Sequence, residues 1–448
     1  MSRVRQSIAP LYLLLCIVMG GSAQGIFSNL ALQLLGVAIL AWAFLTQTPV
    51  KASRPARQLG WLAAAAIAVV LLQLIPLPPV IWSHLPGRQL VVEGYRLLDQ
   101  PLPWLPVSLA PADTIATAMA LLPPLAMLAL ILRLGAYRSS WLLIGLLCGT
   151  FISVGLGVLQ LQGAGPYLYP KANIGTASGL FANANHMATL LLIGIPTLAA
   201  LGARRWRELP KTNDRLLTAT LTGGAAVVLL LGVANNQSFA LLVIGGPVVA
   251  AAALLLIPPG RVRLGRLAAM LGLLLLAGTA ALAVMVAAGL STSNQTSMAI
   301  RGDIWSHTTE AIGDHGLAGS GIGTFPAVYR TYEDPATIER TYINHAHNDY
   351  LEVALEGGAP AIVLMLLFLA WWGSRASAIW RSPNAAELAR AACIASAAIL
   401  LHSLVDYPLR TAAIATSMAM ALALMADPAG KRHKVKLAEL RPTRHLTL

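Results

Sequence analysis

Residues Ser139–Gln160 read SSWLLIGLLCGTFISVGLGVLQ, a run without a single charged side chain. About 20 mostly apolar residues are enough to cross a bilayer as a helix. Arg133 and Arg138 stand before the run, and a polar, Gly-rich stretch from Leu161 to Asn183 follows it. Similar runs recur at roughly 8–23, 26–45, 59–75, 113–133, 184–202, 216–234, 239–257, 267–290, 357–373, 389–404 and 410–426. The expectation is an all-α polytopic membrane protein of about twelve transmembrane helices.

Composition agrees. Apolar residues make up 57% of the 448 residues and charged residues 11%, against about 25% charged in soluble domains. Such a chain cannot hide its apolar surface in a water-soluble core, so its backbone must be helical wherever it meets lipid. Cys16, Cys148 and Cys393 lie inside apolar runs without metal-ligand spacing, which argues against a disulfide framework. Arg3, Arg5 and Gly21-Ser22-Ala23 have the look of a signal peptide. A second span follows at once, so the expectation is an uncleaved first helix.

The net charge of +13 raises the possibility of nucleic-acid binding, but its distribution opposes it. With the N-terminus inside, Lys and Arg concentrate in the inner loops and the tail after Asp427. Of the 31, only Arg88, Arg96, Lys171, Arg301, Arg330, Arg340 and Arg410 face outward. This is the positive-inside pattern, and it predicts an inner-membrane protein with both termini cytoplasmic. The excess of positive charge then meets anionic lipid. The implied organisation is spans 1–9 over residues 1–290, a large periplasmic loop over 291–351, spans 10–12 over 352–427 and a basic tail over 428–448.

Three outer segments are long enough to carry function. Pro76–Ala112 is rich in Pro and contains Trp82 and Trp104, which suits the membrane interface. Leu161–Asn183 is polar and Gly-rich. The large loop, Ser291–Leu351, holds four of the nine His, six Gly and the run Gly319-Ser320-Gly321-Ile322-Gly323. Its aromatic residues predict that it is ordered. His345-Ala346-His347-Asn348-Asp349 ends this loop before the next span. Asn348 and Asp349 suit a helix N-cap. The H-x-H spacing of His345 and His347 allows zinc, but no convincing third and fourth ligands stand nearby; the expectation is no metal and no cofactor. A His at a membrane-edge cleft suits proton transfer.

His347-Asn348, nine residues and then Gly358 resemble the signature of the O-antigen ligase and polymerase superfamily. Arg301-Gly-Asp-Ile-Trp305 followed by Leu317–Phe325 resembles the start of that family's large loop. Gly179–His186 resembles its earlier outer-loop motif, and His402–Arg410 the segment before its last span. Two departures stand out. Ala361 occupies a position that usually carries a small or aromatic residue, often Gly, and Ser238-Phe239 replaces a frequent Ser-Arg. The resemblance implies a GT-C-like, metal-independent glycosyltransferase. It would move a glycan from undecaprenyl diphosphate to an acceptor hydroxyl on the periplasmic side.

For that reaction His347 is the candidate base and Arg301 the candidate donor-binding cation. Weaker diphosphate candidates are Lys171, Arg88, Arg330, Arg340 and Arg410; weaker supporting candidates are His345, Asn348, Asn185, His402 and Asp406. Each has a plainer alternative. Arg301 could pair with Asp303 or Glu310, Arg330 and Arg340 with Glu333, Asp334 and Glu339, and Lys171 could anchor at the interface. Asn183 and Asn185 could cap the next helix, and His186 reads as structural. His402 and Asp406, four apart on one helix face, could simply pack against Arg410. The leading reaction is ligation to lipid A-core. The alternatives are polymerisation of lipid-linked repeat units and, from another class, a transporter or flippase. Transporters place charge at mid-membrane in repeated halves, whereas here charge gathers at helix ends.

Overall fold

The computed structural model describes residues 3–23, 26–47, 50–209, 212–236, 238–256, 292–333, 335 and 343–427. Among these residues the secondary structure is helical, apart from an isolated antiparallel bridge between Leu77 and Leu105. The helices are α1 (Arg3–Met19), α2 (Phe27–Leu45), α3 (Arg54–Leu72), α4 (Pro79–Trp82), α5 (Gln89–Leu97), α6 (Pro111–Arg133), α7 (Ser139–Leu161), α8 (Ala184–Glu208), α9 (Thr212–Asn236), α10 (Phe239–Ala253), α11 (Thr292–His315), α12 (Phe325–Tyr329), α13 (Asp349–Arg381), α14 (Glu387–His402) and α15 (Ala412–Ala426).

Seven of them, α2, α3, α6, α7, α8, α9 and α13, are long and apolar enough to cross a membrane. The chain is therefore an all-helical membrane protein. The count of twelve spans is not reached in the described residues: α15 is a shorter apolar helix, and the run at 267–290, Arg340 and the tail after Asp427 lie outside them.

Helix α8 is the axis of the bundle, packed against α7, α9, α10 and α14. Asn183 starts it by accepting a hydrogen bond from the Asn185 amide at 2.9 Å, satisfying one of the donors that a helix start leaves open. Helix α15 packs on α1, α6 and α14, and α13 packs on α3 and α11.

The segment read as a large loop is helical for much of its length, as α11. Buried Ile304, Thr308, Ala311 and His315 follow a three-to-four-residue spacing and form one stripe. Ile304 and Ala311 share a small core with Phe325, Val328, Tyr329, Ala346 and Leu355. Phe325 stacks on Tyr329 at 5.2 Å, while Tyr342, read as part of the same ordering, lies outside the described residues.

The signature glycine has a structural reason. Gly358 interrupts α13 at φ 57°, ψ −152°, a region essentially confined to Gly. Pro360 has no N–H, so the Glu356 carbonyl loses its helical partner. That carbonyl instead accepts from Gly321 N at 2.8 Å and Gln73 Nε2 at 2.9 Å. The Leu355 carbonyl accepts from Ser320 N at 3.0 Å, and Ala359 N turns to the Leu317 carbonyl at 3.0 Å. The Gly319–Gly323 run thus plugs the kink, and a Cβ on Gly358 would stand 2.3 Å from the Leu317 oxygen. Gly358→Ala is expected to cost about 3 kcal/mol or more. A lowered unfolding midpoint in detergent would show it, and an unchanged midpoint would contradict it.

Candidate functional site

Arg301 lies one turn before Ile304 on the buried stripe of α11, so its side chain points along the face that packs on α13. It reaches Asp406, with Nη2 3.5 Å from Oδ2. His347 comes to the same carboxylate from the other side, Nδ1 lying 3.6 Å from Oδ1. His186, on the first turn of α8, places Nε2 3.8 Å from that oxygen. Two hydrogen bonds fix the carboxylate itself: Asn185 Nδ2 donates to Oδ2 at 2.5 Å and Tyr407 N to Oδ1 at 2.8 Å.

Asp406 is 1% exposed, whereas the side chains of Arg301 and His347 are 12% and 23% exposed. A buried carboxylate therefore organises two groups that still reach open space. Burial alone would push its carboxyl up, but the adjoining His186 and His347 rings outweigh that and hold it well below the ordinary value of 3.8. With the folded value depressed, the charge and its stabilisation are present above the ordinary value. They are lost only as pH falls through the depressed one. Asp406 thus stays ionised from about pH 5 to 8. Asp406→Asn should accordingly lower activity by a similar factor across that range. A variant whose deficit disappears toward the acid end would contradict this.

The backbone holding His347 is braced. His347 itself has φ 50°, an uncommon conformation for a non-glycine residue and one that concentrates at functional sites. Trp305 Nε1 donates to the Ala346 carbonyl at 3.0 Å, and Ala346 N donates to Glu352 Oε2 at 2.9 Å. Asn348 caps α13, accepting from Tyr350 N and Leu351 N at 3.0 and 3.1 Å. The Tyr407 ring sits among three histidines, 4.9 Å from His186, 4.2 Å from His345 and 4.9 Å from His347.

A second cluster adjoins the first. Asp349, Glu352 and Glu356, at positions i, i+3 and i+7 of α13, present one acidic face. Arg410 meets all three at 3.5, 3.1 and 3.3 Å. Burial would lower the Arg410 pKa, but Glu352, Glu356 and Asp349 together raise it. His345 Nδ1 is 2.8 Å from Glu352 Oε1, and Ser403 Oγ donates to Asp349 at 2.8 Å. This cluster lines part of a cavity of about 760 Å3 between α2, α3, α6, α13 and α15, whose walls also include Gln33, Val70, Pro124, Phe368 and Met418.

The structure thus brings Arg301, His347, Asn185 and Asp406 together, with Arg410 and His345 adjacent. His402 stands at the end of α14, its Nδ1 2.8 Å from Thr189 Oγ1. The helix ends there, and Asp406 lies in the turn beyond rather than one helical turn along the same face. Pro408 keeps Tyr407 out of helical geometry, so the turn does not run on as a continuation of α14. Lys171 and Arg330 are exposed on separate segments. Arg88 is buried and donates to the carbonyls of Val107 and Gly319. Among the described residues, no group of three or more His, Cys, Asp or Glu is arranged to hold a metal ion.

Three parts of the site go beyond the sequence reading. His186, read as structural, points at Asp406. Glu352 and Glu356 have a visible signal, since ionisable residues entering a span are expected to be functional or paired. Gln73 has none: it ends an apolar helix, yet its side chain joins Glu356 to Ile322.

Comparison with family profiles matches residues 172–366 to the family described as O-antigen ligase. The matched stretch contains Asn185, His186, Arg301, His347 and Gly358, while Asp406 and Arg410 lie beyond it. Comparison with curated proteins gave no match.

Proposed function

Residues 172–366 match the O-antigen ligase family, whose enzymes join lipid-linked glycans to glycan acceptors; on that basis we propose that the chain is such an enzyme, that the Asp406 centre is where transfer occurs and that the reaction is ligation. The donor would be a glycan on undecaprenyl diphosphate and the acceptor a hydroxyl of lipid A-core. The reaction would take place on the periplasmic side of the inner membrane. The observation carrying this reading is the convergence of Arg301 and His347 on one buried carboxylate beside an apolar cavity.

The chemistry follows from the geometry. The acceptor oxygen attacks the anomeric carbon, the bond from that carbon to the diphosphate oxygen breaks, and the diphosphate leaves with the electron pair. The acceptor proton passes to Nε2 of His347, because Nδ1 faces Asp406. A carboxylate beside that nitrogen orients the ring and leaves Nε2 to meet the acceptor. Arg301 supplies positive charge where the leaving group gains negative charge, so the transfer needs no bound ion. The Arg410 guanidinium is already met by three carboxylates, which directs the diphosphate toward Arg301. The adjoining cavity would take part of the polyprenyl chain.

Arg301→Ala is expected to lower transfer by about 10²- to 10³-fold. Surface polysaccharide from cells complemented with the variant, resolved on a gel, gives the reading. Loss of all capped lipid supports ligation, while a single-repeat band indicates polymerisation. An unchanged ladder would remove Arg301 from the reaction.

A further inference from the structure

Residues 79–104 form a hairpin. Its base is the paired Leu77–Leu105 bridge, with hydrogen bonds of 2.9 and 3.2 Å. Trp82, expected at the interface, is instead buried inside the hairpin, and its Nε1 donates to the Pro103 carbonyl at 2.8 Å. Such a fold would be expected to turn its apolar side chains inward, yet several point out. Leu90 and Leu97, two turns apart on α5, are 73% and 78% exposed, with Leu98 at 71%, Val80 at 72% and Trp104 at 64%. Soluble surfaces seldom leave so many large apolar side chains exposed within one short segment without a partner.

We propose that this partner is the bilayer, and that the hairpin lies along the membrane surface with Val80, Leu90, Leu97, Leu98 and Trp104 among the lipids of the leaflet next to the site. Continuity along the chain supports that occupant. Helix α3 runs into the hairpin, and its outward residues Trp61, Leu71 and Leu72, followed by Ile75, are exposed as well. Only 17% of the apolar window of α3 is buried in the protein; Leu62, Ala66 and Val70 line the cavity, while Trp61, Leu71 and Leu72 point outward. The hairpin's apolar face extends that surface past the end of the span. Charge points to uncharged lipid: Arg96 is paired with Glu93 at 3.6 Å on the flank of the stripe. Insertion therefore rests on apolar area and an interfacial Trp rather than on attraction to anionic headgroups.

The hairpin is also tied to the reaction centre. Arg88, at its inner corner, is 1% exposed and grips the Gly319 carbonyl at 3.3 Å. Gly87, at φ 72°, packs against the His315 ring, where a Cβ would come within 2.6 Å. Gly319 in turn abuts the Gly358 kink that follows the His347 segment. A hairpin floating at the surface thus sets the height of the centre above the membrane, where the reactive bond of a lipid-linked molecule lies. The membrane position stands apart from the proposed chemistry and is tested without it.

The test uses the full chain in phosphatidylcholine vesicles, with exposed Cys148 replaced by serine. Cysteines introduced one at a time at Leu90, Leu97 and Trp104, and at exposed Glu310 as an aqueous reference, carry an environment-sensitive fluorophore, with the protein bearing only buried Cys16 and Cys393 as the unlabelled control. The expected result is blue-shifted emission at 90, 97 and 104, quenched by nitroxide on the lipid chains and protected from a water-soluble nickel chelate. The label at 310 should behave in the opposite way. Adding Leu90→Glu and Leu97→Glu should move the label at 104 into water. Each label reports separately, so loss of one variant leaves the others. Labels at 90, 97 and 104 that all behave like 310 would overturn the proposal.

Discussion

His347→Ala is expected to abolish most transfer, lowering it by about 10²- to 10⁴-fold, while leaving the protein folded. The fold is spared because the ring is not a core element: it is 23% exposed and its neighbours are held by other contacts. Asn348 caps α13 and Glu352 holds Ala346 N without help from the imidazole. The activity loss is large because the other imidazole beside Asp406, His186, has a side chain only 3% exposed and cannot take over at the open rim. His345 is the nearest alternative, but its Nδ1 is engaged with Glu352 in the Arg410 cluster. His347→Gln keeps the side-chain length and loses the proton acceptor, so it should be nearly as inactive as alanine. A glutamine variant with wild-type transfer would mean that the ring only positions. Melting curves in detergent, alongside transfer rates, separate loss of chemistry from loss of fold.

Arg410→Met has the opposite signature, a loss of folding that precedes any question of rate. Three carboxylates, Asp349, Glu352 and Glu356, meet this one guanidinium inside the bundle. Removing one partner of a buried ion pair costs about 3–5 kcal/mol, because the remaining charge has neither water nor a counterion. Here more than one charge is stranded, so the upper end of that range applies. The expected outcome is little protein recovered as a monodisperse peak. Adding Glu356→Gln should restore part of the yield by removing one stranded charge. Wild-type yield and melting for Arg410→Met would show that the cluster contributes nothing to the fold.

The membrane class was legible because apolar length and basic-loop asymmetry are local, one-dimensional properties. The existence of an ordered polar unit was legible for the same reason, from Trp305, Phe325 and Tyr329. Its helical character was not, because α11 is polar along most of its length and shows its buried stripe only at Ile304, Thr308, Ala311 and His315. His347 and Arg301 were legible as candidates from residue type and place. What joins them was not. Asp406 looked like a helix-end partner of His402, and only the end of α14 at His402 aims it at the centre. Arg88 had the right charge for a diphosphate, but burial against two carbonyls makes it a clamp. Gln73 and the Gly358 kink depend on carbonyls released by Pro360, a relation between three separate segments that spacing alone does not display.

The most direct test of a single centre built on Asp406 is a double-mutant cycle in purified protein. It compares transfer by wild type, His347→Ala, Asp406→Asn and the double variant, using a polyprenyl-diphosphate glycan donor. If Asp406 acts through His347 and Arg301, Asp406→Asn alone is severely impaired and the double variant is scarcely slower than His347→Ala. Losses that multiply, or an Asp406→Asn protein that transfers at the wild-type rate, would contradict the assignment.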